Sequence, residues 1–137
     1  MVSKKKVERF EDLIVYKNAI EIVKEIYKVT NEDRFKKDFA LCAQIRRSSI
    51  SIVSNIAEGF DRGTNKDFTH FLYIAKGSAS EVRAQINVAY ELRYVNIEKY
   101  ENIYKQITAL SKQLSHFISY LMSTKIIKRG AKSNETK

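Results

Sequence analysis

The stretch QIRRSSISIVSNIAEGF, residues 44–60, decides how this chain is read. At about 100° per residue on a helix, Leu41, Ile45, Ile52 and Ile56 share one narrow arc, which Cys42, Val53, Ala57 and Ile50 widen. Opposite them lie Gln44, Arg47, Ser48, Ser51, Ser54, Asn55 and Glu58. A solvated helix normally carries lysine and glutamate on that side. Serine, asparagine and β-branched residues are mediocre helix formers, so contacts with other polypeptide must hold this helix. Its small, mostly neutral polar side therefore reads as a contact surface covered by other helices.

A matching patch follows at residues 76–80, KGSAS, where Gly77, Ser78, Ala79 and Ser80 give up side-chain volume inside a helix. The glycine costs up to about 1 kcal/mol there, which close approach by another helix would explain. Arg46 falls within the wider apolar arc, and a buried guanidinium needs a carboxylate. Glu81 and Glu58 are the expected partners. Arg46 and Arg47 are read as an ion-pair network or subunit contact, with phosphate binding as the competing reading because the planar guanidinium suits both anions. Ser51, Asn55, Glu58, Gly59, Gly77, Ser78 and Glu81 complete the set of interface or structural residues.

Three further segments show helical periodicity. Leu13, Tyr16, Ile20, Val23 and Tyr27 recur at alternating spacings of three and four. Phe68, Leu72, Ala75, Ala79, Val82, Ile86 and Ala89 do the same, as do Tyr100, Ile103, Ile107, Leu110, Leu114, Phe117 and Leu121. This alternation matches helices crossing at about 20° in left-handed bundles. Asp38, Thr64 with Asp67, and Asn96 are expected helix caps, and Gly59 an expected left-handed stop. Short connections imply antiparallel neighbours. The expected fold is all-α, an antiparallel up-down-up-down four-helix bundle over residues 10–124, a rod roughly 30–45 Å long.

Composition supports this. The 137 residues include no proline and 4 glycines, and strands need the turns that these residues make. No apolar run approaches the roughly 20 residues of a bilayer span, and the first residues lack the apolar stretch of a secretion signal. A cytoplasmic protein is expected, with Cys42 unable to form an internal disulfide. The formal charge of +9 concentrates at the ends. Residues 1–9 hold Lys4, Lys5, Lys6 and Arg9 against Glu8; residues 125–137 hold Lys125, Lys128, Arg129, Lys132 and Lys137 against Glu135. Such basic tails can hold phosphate without reading sequence, or simply solubilise the protein. Arg62 and Lys66, at the turn between the second and third long helices, extend the candidate nucleic-acid contacts.

Catalytic constellations are not found. His70 and His116 have no cysteine or carboxylate at metal-ligand spacing, so no metal or other cofactor is expected. Cys42 reads as a small core residue, IAKGSAS lacks the strand and lysine-serine pair of a phosphate loop, and Tyr16, Tyr27 and Tyr100 occupy seam positions. The reading is of a protein that is not an enzyme.

The blocks FEDLIVYKNA, QIRRSSISIVSNIAEGFDRGT, FTHFLYIAKGSASEVRAQ and ELRYV resemble the four-helix bundle family named after the protein encoded in intervening sequences of bacterial 23S ribosomal RNA genes. Val53 stands where relatives commonly have proline, and Arg93 where a glycine commonly precedes the tyrosine. The resemblance implies a homo-oligomer, with a pentameric ring most expected. It also implies distant similarity to the accessory variability proteins of diversity-generating retroelements, which bind nucleic acid and a reverse transcriptase. The partners expected are thus other copies of the chain, RNA or DNA, and as the alternative role a protein such as a reverse transcriptase to which the chain would be an accessory scaffold.

Overall fold

The computed structural model describes residues 7–124. A 3-10 turn at Phe10–Asp12 leads into α1 (Ile14–Val29), a single-turn α2 (Asp33–Lys36), α3 (Phe39–Asp61), α4 (Asn65–Glu91) and α5 (Ile97–Ser123), and no strand occurs among the described residues. The three expected caps form. Asp38 accepts from the Leu41 N–H at 3.0 Å, Thr64 from the Asp67 N–H at 3.2 Å, and Asn96 from the Lys99 N–H at 2.8 Å. Each satisfies a backbone donor that the helix start leaves orphaned. The short α2 interrupts the first connection because Phe35, completely buried, pins it to the core.

The four long helices form a helical bundle in which α3 packs on α4, α4 on α5, and α1 on both α3 and α5. Contacting pairs run in opposite order along neighbouring helices. Asn18, early in α1, donates to Gln113, late in α5; Gly59, late in α3, meets Phe68 and Phe71, early in α4; Tyr90, late in α4, stacks on Tyr100, early in α5. The stripes expected of α4 are buried along their whole length, and those of α5 are buried or packed against the core.

Helix α1 differs from expectation. Its buried stripe is Val15, Ala19, Ile22, Ile26 and Val29, whereas Ile20 and Val23 are half-buried and Tyr27 is exposed. Both stripes have three-four spacing, so periodicity alone does not choose between them. The stripe with Ala19 admits close neighbours and contains no hydroxyl, while tyrosine prefers a site with one end wet.

Gly59 is the second correction. It does not stop α3, which continues to Asp61; the left-handed glycine is Gly63, with φ 89°. Gly59 instead makes room for α4, since a Cβ there would lie 2.7 Å from the Phe71 Cβ and 3.0 Å from the Phe68 ring. A Cβ added at Gly77 would meet nothing within 4 Å, so no helix of the same chain presses on it. Arg93 takes φ 64° and ends α4 in a Schellman arrangement, with Tyr94 N–H on Ala89 O and Arg93 N–H on Tyr90 O, both at 2.9 Å.

Gly59→Ala is expected to destabilise the fold by about 1–3 kcal/mol through overpacking, and Gly77→Ala to stabilise it by about 0.5–1 kcal/mol through helix propensity; urea unfolding followed by circular dichroism checks both. Arg93→Gly is expected to raise stability by about 0.5–1 kcal/mol, because a side chain in the left-handed region costs about 1–2 kcal/mol and the extra freedom of an unfolded glycine returns part of it.

Candidate functional site

The first and last of the described residues and one turn lie at the same end of the bundle. The 3-10 turn packs on α1 and α3, and Asn65 at the start of α4 donates to the Leu121 carbonyl at the end of α5, at 3.4 Å. Arg9, Arg62 and Lys66 therefore share that end, all exposed. Lys4, Lys5, Lys6, Lys125, Lys128, Arg129 and Lys132 lie outside the described residues, but the segments that carry them continue from Val7 and Thr124, at this same end.

The end itself is not a positive patch. Arg62 Nε pairs with Glu58 at 2.9 Å, and its guanidinium lies over the Phe71 ring at 4.8 Å. Arg9 approaches Glu11 at 3.7 Å, and the Asp12 carboxylate accepts from the Glu8 and Arg9 N–H groups, each at 3.2 Å. Glu8, Glu11, Asp12, Glu58, Asp61 and Asp67 thus offset the three described basic residues, leaving positive charge to the terminal segments.

The serine-rich side of α3 divides in two. Ser48 and Ser49 are buried and Ser51 and Asn55 half-buried, and the cover for much of this half is α4 of the same chain. Ser48 Oγ donates to Glu81 at 3.3 Å, and Ser78 Oγ to Ser51 Oγ at 2.9 Å. Asn55 donates back to the Ser51 carbonyl at 2.8 Å, and Ser49 to the Arg46 carbonyl at 3.0 Å. The other half, Gln44, Arg47, Ser54 and Glu58, is exposed.

Arg46 does not pair with Glu81 or Glu58. Its Nε donates to Thr30 Oγ1 at 2.9 Å, and its guanidinium stacks on Tyr27 at 4.6 Å from the ring centre. The side chain is half-buried, so its outer nitrogens keep water and no carboxylate is required.

Sequence reasoning missed a cluster at the opposite end. Besides capping α3, Asp38 accepts from Tyr94 OH at 2.9 Å, and this hydrogen bond to a carboxylate raises the tyrosine pKa above its ordinary value. Arg34 lies over the Tyr94 ring at 5.7 Å and donates to the Arg93 carbonyl at 3.3 Å. Lys99 pairs with Glu32 nearby. A surface hollow of about 560 Å³ opens beside Arg93 and Tyr94, with acidic and basic groups in balance around it. The only sequence signal was the basic residue in place of a turn glycine.

Histidines His70 and His116 are exposed on different helices, and no group of three or more His, Cys, Asp or Glu side chains suited to a metal ion exists among the described residues. Cys42 is 7% exposed, its Sγ lies 3.2 Å from the Phe35 carbonyl, and burial pushes the thiol pKa up.

Residues 11–116 match the family described as 23S rRNA-intervening sequence protein. The chain belongs to this family. Among solved structures it is similar to a protein of unknown function from the S23 ribosomal protein family of Bacteroides thetaiotaomicron, with 30% identity over 77% of this chain and 98% of that one and a TM-score of 0.70. No curated protein matches. Arg93, where the resemblance leads one to expect a glycine, takes a left-handed backbone, and Val53, where it leads one to expect a proline, lies inside an unbroken α3. No helix of the described residues is long and apolar enough to cross a membrane.

Cys42 is expected to react with Ellman's reagent at least about tenfold more slowly in the native chain than in urea, because the neutral, buried thiol is the poorer nucleophile; equal rates would contradict the packing described.

Proposed function

We propose that this chain is a non-enzymatic, cytoplasmic homo-oligomer, a ring of five up-down-up-down bundles, that holds RNA or DNA through basic arms at residues 1–9 and 125–137 flanking the bundle of residues 10–124. The observation that carries the reading is the convergence of both arm attachments with Arg62 and Lys66 at one end of the bundle. The opposite order of contacting residues along neighbouring helices supports the topology.

The acid-rich end of the bundle repels a phosphate backbone, so the arms hold it at a distance and the body does not read bases. Arms from several copies act together, and multivalency strengthens a contact that each chain makes weakly. Such binding rests on counterion release and falls steeply with salt.

Fluorescence anisotropy with a structured RNA and a DNA duplex, across a salt series, tests this. Alanine at Lys4, Lys5, Lys6, Lys125, Lys128, Arg129 and Lys132 is expected to lower affinity by about tenfold or more and to flatten the salt slope by about 0.9 per lost duplex phosphate contact. Arg62→Ala and Lys66→Ala are expected to do less, Arg62 being already engaged by Glu58. No detectable binding at low ionic strength removes the reading and leaves the accessory scaffold, with a protein partner, as the one to pursue.

A further inference from the structure

Val7, Leu13, Ile14, Val15 and Phe117 line a surface hollow of about 380 Å³ between the start of α1 and the later part of α5, together with Asp12, Gln113 and His116. Leu13 and Val15 are buried and Phe117 half-buried, while Val7 is 44% and Ile14 64% exposed. An apolar concavity of this kind is stabilised by an apolar side chain that displaces its water. The charges around it are mixed, with Glu8, Glu11 and Asp12 on one side, Arg9 held near Glu11, Lys17 on α1, and Lys112 and His116 on α5. Its apolar lining, and not its charge, therefore selects the occupant.

Helix α5 ends on the side of this hollow. Eleven residues separate Gln113 from Thr124, and at about 100° each they bring Thr124 to within about 20° of Gln113 around the helix axis. Thr124 has already left the helix for extended backbone. Beyond it the sequence reads KIIKRGAKSNETK, residues 125–137, in which Ile126 and Ile127 are the large apolar side chains. These residues lie outside the described ones, but their reach is fixed by the chain. At no more than about 3.3–3.6 Å per residue, Ile127 comes at most about 10 Å from Thr124. Phe117, seven residues back along α5, lies about 10.5 Å away along the axis. Ile126 falls one residue short of it.

We propose that Ile127 of the same chain seats in this hollow. The occupant is this residue because it is apolar, because it is tethered to the helix that forms one wall, and because its reach from Thr124 matches the distance to Phe117. A short tether gives it an effective concentration at the hollow that no free side chain attains. Val2, the first large apolar side chain met going back from Val7, stands behind Lys4, Lys5 and Lys6 and would have to draw them across the same apolar rim. The seat fixes the root of the C-terminal arm to the bundle, so the arm's free reach starts at Lys128. The inference goes beyond the nucleic-acid reading and stands without it.

Disulfide trapping in the full chain tests the seat, with Cys42 left in its buried place. Ile14→Cys puts a thiol at the exposed rim of the hollow, and Lys128→Cys or Ser133→Cys puts a second one beyond Ile127. Under mild oxidation the 14–128 pair is expected to close within one chain at least about tenfold faster than the 14–133 pair, as read by mass spectrometry of digested protein. A segment without a seat gives equal rates or the opposite order, because four residues from Thr124 barely span the distance and nine span it easily. Adding Ile127→Ser is expected to remove the preference, and deleting residues 1–6 to leave it. Equal rates overturn the proposal, as do a preference that survives Ile127→Ser or is lost with residues 1–6, and a 14–128 disulfide that joins two chains. These outcomes are independent of the salt series, so the two readings fail separately.

Discussion

The close approach of α3 to α4 governs this molecule. Gly59 lets the backbone of α3 come against Phe68 and Phe71, and Ser48, Ser51 and Ser78 fill the narrow space between the helices with short side chains that bond one another and Glu81. Each hydroxyl buried there has a partner, so desolvation costs little. Longer side chains at these positions would push the helices apart. The apolar arc of α3, with Ile45, Ile52 and Ile56 inaccessible to solvent, would then lose its place in the core it shares with Leu72, Ala79 and Val82.

Much of this was legible in the sequence because the signals are local. Caps depend on a side chain three residues from its donor, and Asp38, Thr64 and Asn96 bond where their spacing places them. The stripes of α4 and α5 are single, so period and burial agree. Helix α1 carries two stripes of equal period offset around its axis, and the choice between them is made by what α3 and α5 present, which no local pattern encodes. Gly59 was legible as special but for the wrong reason: its value lies in the missing Cβ, not in a backbone reversal, which falls four residues later at Gly63.

The candidate site was legible in its charges and not in its geometry. The basic ends are plain from composition. Their attachment to one end of the bundle depends on four long helices, and the acidic company of Arg62 depends on how α3 and α4 meet. Arg46 illustrates the limit well. A burial argument from a helical wheel demanded a carboxylate, yet half-burial against Tyr27 with one bond to Thr30 suffices, because the guanidinium stays wet at its tip.

An even number of long helices brings the chain back to the level where it started. Val7 and Thr124, where the described residues begin and stop, consequently sit beside the α3/α4 turn, while the α1/α3 and α4/α5 turns occupy the far end by themselves.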